Sequence, residues 1–165
     1  MLKMIVDVNT GAVKCGGKNT VLKANGIGSC IAAAAIDKIN NVGYIAHIML
    51  PGKSPEKYNS IKTKYAEDAV DELIKIMNEN RTDLGNIEFY LVGGGNVLKD
   101  KNDIICQSNI NSVNEVFKKK KLKIAKSILG GEIWRSVAVD VDLKKIFYTE
   151  GGCQNIELNV NSVCE

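Results

Sequence analysis

The sequence predicts an α+β fold in one domain spanning residues 1–165. Three observations carry this. Short apolar runs of strand-like composition recur between turn residues, two segments repeat their apolar residues at helical spacing, and several of the strand-like runs are joined closely enough to form hairpins. A chain of 165 residues suffices for one domain with a sizeable core, and 45% hydrophobic with 25% charged residues is ordinary for a globular protein. No repeat or low-complexity segment is present. No apolar run reaches about 18 residues, so a membrane-inserted protein is not expected. The N-terminus lacks a basic region followed by a long apolar stretch, which points to a cytoplasmic location. A net charge of +3 is too small to argue for a nucleic-acid partner.

Residues 3–8 read as a short strand, and Gly11, Gly16, Gly17 and Asn19 mark loops. Thr20 to Lys23 reads as a second strand. Cys30 to Ile36 is small and apolar, Asp37 to Asn41 is turn-like, and Val42 to Leu50 is strand-like, so this region reads as a hairpin. Its four consecutive alanines also suit a helix, which would begin at Cys30. Pro51 to Ser60 is a polar loop. Residues 62–78 carry Ala66, Ala69, Val70, Leu73, Ile74 and Met77 at helical spacing. Ile87 to Val92 is strand-like and runs into Gly93-Gly94-Gly95. No Gly-Lys-Ser/Thr follows, which argues for a tight turn over a phosphate loop. Residues 109–120 suggest a second helix with Ile110, Val113 and Phe117 on one face. The four lysines Lys118 to Lys121 at its end complement the helix dipole, and a basic partner site is the sharper alternative. Leu122 to Leu129 reads as a strand, Gly130-Gly131 as a turn, Ile133 to Val141 as a half-buried strand with Arg135 on its apolar phase, and Ile146 to Thr149 as its hairpin partner.

Two residue types stand out chemically. His47 is the one histidine of the chain, and Cys30 is one of five cysteines, with Cys15, Cys106, Cys153 and Cys164. An odd cysteine count without a Cys-x-x-Cys pair, and with one histidine, argues against zinc and for free thiols. A hairpin centred between Lys38 and Ile39 pairs residues that sum to 77 and sets Cys30 opposite His47, while a slip of two leaves them diagonal on the same face. A thiol and an imidazole so placed are the minimum for thiolate catalysis, and an ion pair between them would hold the Cys30 thiol below its ordinary value. Gly28 and Ser29 offer backbone N–H groups to a developing oxyanion. The same residue types also describe an inert buried cysteine beside a core histidine.

The segments Gly26-Ile27-Gly28-Ser29-Cys30, Ala46-His47-Ile48-Met49-Leu50-Pro51 and Lys64-Tyr65-Ala66-Glu67-Asp68-Ala69 resemble the CheD family of chemoreceptor glutamine deamidases. Gly93 to Gly95, Ile105 to Val113, and Gly130-Gly131 through Arg135-Ser136-Val137 follow in the family's order, so the resemblance spans about residues 20 to 152. It implies a mixed β-sandwich-like core flanked by helices, similar to the catalytic domain of the cytotoxic necrotizing toxins. It also implies a cysteine-dependent protein-glutamine glutaminase of chemotaxis with Cys30 as nucleophile and His47 as general base and acid. Gly28, Ser29 and Gly94 would form the oxyanion or site loop, with no metal or cofactor. The implied partners are the cytoplasmic region of a chemoreceptor and a CheC-type phosphatase. Two other readings stay open: a non-catalytic binding partner of such proteins, and a thiol hydrolase of different substrate.

The resemblance is incomplete at three positions. Family members usually carry a threonine six residues before the cysteine, where it helps to orient the histidine; Ala24 stands there. Thr20 shares its strand phase but lies roughly 13 Å away. In the related toxins a backbone carbonyl orients the histidine instead. Ser108 replaces the arginine that precedes an asparagine, and Ile128 stands where an aspartate is expected.

Overall fold

The computed structural model describes residues 2–57 and 61–160, so Cys164 and the end of the Pro51 to Ser60 loop lie outside it. Its ten strands form two five-stranded mixed sheets, ordered β1-β3-β8-β9-β10 and β2-β5-β4-β6-β7. Their ranges are β1 Met4–Asp7, β2 Val13–Gly16, β3 Thr20–Ile27, β4 Ile31–Asp37, β5 Val42–Ile48, β6 Glu88–Gly93, β7 Lys123–Leu129, β8 Arg135–Asp140, β9 Lys145–Glu150 and β10 Ile156–Glu157. Helices α1 (Ala66–Glu79) and α2 (Ile105–Lys119) cover the outer face of the second sheet. No helix among the described residues is long and apolar enough to cross a membrane.

The order is therefore sheet, sheet, helices, and strand β4 lies in the middle layer. This settles the alanine run. Every residue of β4 is buried, so the strand shows no polar alternation, as expected of one covered on both faces. Ile31, Ala33 and Ala35 pack toward the helices with Tyr44, Ala46 and Ile48 of β5 and Phe89 and Leu91 of β6. Ala32 and Ala34 pack toward the first sheet with Leu22, Ala24, Val137 and Val139. Small side chains on both faces let the two flanking layers approach.

Several boundaries differ from the sequence reading. Strand β2 lies within the stretch expected to be loop; it is a short, largely exposed strand on the open side of β5. Helix α1 is preceded by a 3-10 turn at Lys62–Lys64. Helix α2 starts four residues early, because the Asp103 carboxylate accepts hydrogen bonds from the N–H groups of Ile105 (3.0 Å) and Cys106 (3.4 Å). Strand β8 starts late: Ile133 and Trp134 stay exposed, held out by the left-handed Gly130 and Gly131. Arg135 is buried because its guanidinium donates to Gly130 O at 2.7 Å and pairs with Glu150 at 3.2 Å. Lys119 and Lys120 pair with Glu67 (3.2 Å) and Asp71 (2.6 Å) of α1, so two of the four lysines are spent within the molecule.

The helix layer is anchored by aromatic packing. Phe117 of α2 meets Phe89 of β6 edge-to-face, centroids 5.1 Å apart. Both are fully buried. Phe117→Ala should therefore cost about 3–5 kcal/mol in urea unfolding. A loss below about 1 kcal/mol would show that α2 does not depend on this contact.

Candidate active site

The β4–β5 hairpin forms, with a shifted register. Ala32 faces His47 and Asp37 faces Val42, so paired residues sum to 79 and not 77. The turn is longer than expected. Asp37 Oδ1 accepts the N–H groups of Ile39 (3.0 Å) and Asn40 (2.9 Å), and Asn41 adopts a left-handed conformation. A shift of two preserves the side-chain phase. Cys30, one residue before β4, is thus the diagonal neighbour of His47 on the face toward the first sheet. There it packs against the inter-sheet core.

His47 is 2% exposed. Its backbone continues the pairing toward β2: His47 N–H donates to Ala12 O (2.9 Å) and Gly11 N–H donates to His47 O (2.8 Å). Its ring is held from the other sheet. After β1 the chain crosses between sheets at Val8, whose N–H still donates to Lys23 O (2.7 Å). The Val8 carbonyl turns inward and accepts from His47 Nδ1 at 2.9 Å. A carbonyl only accepts, so the neutral ring carries its proton on Nδ1 and leaves Nε2 as a bare acceptor. Nε2 is buried and has no partner among the described residues. Ala24, fully buried in the inter-sheet core, contributes no hydrogen bond to the ring. Thr20 lies at the opposite end of β3, paired with Met4.

Burial acts on both groups. It pushes the Cys30 thiol above its ordinary value, with its own backbone N–H pulling partly back. It pushes the His47 imidazole below its ordinary value, against the opposing pull of the Val8 carbonyl. The resting site therefore favours a neutral thiol beside a neutral imidazole. Both directions run against the ion pair expected from the sequence.

The Cys30 loop is clamped from three elements. Gly94 N–H donates to Cys30 O (2.8 Å) and Gly95 N–H to Gly28 O (2.9 Å). Gly93 must lack a side chain: at φ 134°, a Cβ there would lie 2.1 Å from Cys30 O. From α2, the fully buried Asn109 donates through Nδ2 to Ser29 O (2.8 Å) and Met49 O (3.0 Å). The Gly94 N–H is committed to Cys30, so Gly94 belongs to the scaffold and not among oxyanion donors. Among the described residues, the Ser29 N–H donates to no main-chain acceptor, and the Cys30 N–H is directed at its own sulfur. Asn109 and the Val8 carbonyl were not singled out from the sequence. Asn109 is the asparagine that follows Ser108 in the family's motif, a signal with no stated role, and a main-chain carbonyl leaves no residue-type signal.

The surroundings are asymmetric. A hollow of about 280 Å³ beside His47 is lined by Val8, Asn9, Lys23 and Asn25 among others. A larger cleft of about 510 Å³, lined by Asp37, Lys38, Arg81 and Glu88, lies at the turn end of the hairpin, away from Cys30. Val97, an exposed apolar side chain, borders the Cys30 loop within 3.4 Å of the position a Gly28 Cβ would take, and Leu98, Ile133 and Trp134 are also exposed. Among the described residues no three His, Cys, Asp or Glu side chains group as metal ligands.

A neutral resting pair has a measurable signature. The rate of Cys30 alkylation by iodoacetamide should rise with a midpoint above about 8.5, the ordinary thiol value. A midpoint near 6–7, the sign of a stabilised thiolate, would contradict the burial argument.

The profile of the family described as "CheD chemotactic sensory transduction" matches residues 49–150. A Chlorobium luteolum protein named "Probable chemoreceptor glutamine deamidase CheD" is 34% identical over 142 residues, covering 86% of this chain and 71% of its own. The Thermotoga maritima "Chemoreceptor glutamine deamidase CheD" is 28% identical over 161 residues, 95% of this chain and 98% of its own. A Methanosarcina mazei relative, "Probable chemoreceptor glutamine deamidase CheD 1", is 36% identical over 124 residues, and the chain spans 54% of its length. With a matching profile over more than half its residues, and a relative above 30% identity covered over most of its length, the chain belongs to the CheD family.

Proposed function

We propose that this chain is a cysteine-dependent protein-glutamine deamidase acting on the cytoplasmic region of a chemoreceptor. The observation that carries the reading is the state of His47. Its Nδ1 proton is held by the Val8 carbonyl, so the bare Nε2 sits on the face it shares with Cys30.

In the proposed reaction, Nε2 takes the Cys30 proton as the sulfur attacks the carboxamide carbon of a glutamine side chain. The oxygen that gains charge is held by the N–H groups of Ser29 and Cys30, with Gly28 letting the chain approach closely. The C–N bond then breaks, and His47 returns the proton to the departing ammonia. Water, deprotonated by the same nitrogen, attacks the thioester carbon; the C–S bond breaks, leaving glutamate and the thiol. A neutral pair, with the ring buried and the thiol partly so, suits this sequence, because the proton moves only when the electrophile is in place. The apolar fringe around the Cys30 loop supports a protein substrate over a small amide. The carbonyl-held histidine on a two-sheet core also supports the proposed kinship with the cytotoxic necrotizing toxin catalytic domain.

A second reading is a non-catalytic partner of a receptor or a CheC-type phosphatase. The complete shielding of Nε2 and the raised Cys30 thiol favour it. One experiment separates the two. Incubation with chemoreceptor cytoplasmic fragments should raise glutamine-containing peptides by about 1 Da, the change when an amide becomes an acid, and Cys30→Ala should abolish the shift while the protein stays folded. No shift with wild type, or an undiminished shift with Cys30→Ala, would remove the proposed reaction.

A further inference from the structure

The two strands that carry the pair stop pairing where the pair needs fixing. Strand β4 begins at Ile31, after Cys30, and β5 ends at Ile48, just past His47. Beyond these ends the carbonyls of Ser29 and Met49 have no rung to join. Asn109 supplies one: a single amide nitrogen donates to both, at 2.8 and 3.0 Å. Few side chains can do this. A carboxylate has no donor, a hydroxyl has one, and glutamine places its amide a methylene further out. The amide cannot be reversed, because Oδ1 would then face two carbonyl lone pairs.

This arrangement carries a cost. Asn109 is 0% exposed, and its Oδ1 is buried without a partner among the described residues. Helix α2 is meanwhile well anchored, with Val113 and Phe117 in the helix-side core and Ile110 against Gly94. The asparagine thus transmits a fixed helix position to the nucleophile's loop and the base's strand at once. We propose that Asn109 is a positioning residue, which sets the separation of Cys30 and His47 by tying Ser29 and Met49 to one nitrogen. The inference rests on the reaction proposed above.

The test is a double-mutant cycle on Cys30 alkylation by iodoacetamide, followed by peptide mass spectrometry near neutral pH. In the wild-type background, His47→Ala should slow Cys30 by roughly tenfold or more, as loss of a general base does. In the Asn109→Ala background the same change should slow it by less than about twofold. Val113→Ala, a core truncation in the same helix, controls for lost stability and should preserve the full His47 effect. Thermal melting establishes that each variant is folded. If Asn109→Ala does not fold, Asn109→Ser, which keeps one donor, is judged by the same criterion. A His47 effect that survives the Asn109 substitution overturns the positioning role and leaves the proposed reaction standing. A wild-type background without any His47 effect removes the pair, and with it both the reaction and this inference.

Discussion

The hydrogen bond from His47 Nδ1 to the Val8 carbonyl is the constraint on which the site depends. It joins the two sheets. The carbonyl comes from the crossover that follows β1, and the ring from β5 in the other sheet. It fixes the tautomer, so the nitrogen left for chemistry is an acceptor. It does so without charge, since the partner is a neutral amide oxygen and not a carboxylate. That suits a buried ring, whose charged form is already disfavoured by desolvation.

The remainder of the fold keeps that bond and the thiol in register. Strand β4 carries small side chains, with alanines on both faces, so the layers close around it. The triple glycine after β6 lets its backbone run against Cys30, and Asn109 reaches over from the helix layer. Each contact binds main-chain carbonyls near the site and leaves the Ser29 N–H without a main-chain acceptor.

Much of this was legible in the sequence, and the failures have physical causes. The hairpin and its side-chain phase could be read because turn residues bracket two apolar runs. The register was off by two because the Asp37 side chain makes a longer turn than the residues at its centre suggested. Strand β2 gives no strand signal in the sequence because it is four residues at an edge, with little buried surface to impose alternation. The start of α2 is not legible because its N-cap, Ile104, has no capping side chain, and the carboxylate that meets the first N–H groups, Asp103, lies one residue further out. Ala24 has no side chain that could bond the ring, which the sequence alone shows. Which carbonyl replaced it was not readable, because any residue has one.

The central claim concerns one proton, and the chain offers a clean probe of it, having a single histidine. With ¹⁵N-labelled protein, the imidazole signals belong to His47 alone. At neutral pH the account predicts a neutral ring with the proton on Nδ1 and an unprotonated Nε2, persisting below about pH 6.5, the ordinary histidine value. A ring protonated on Nε2, or an imidazolium at neutral pH, would contradict it.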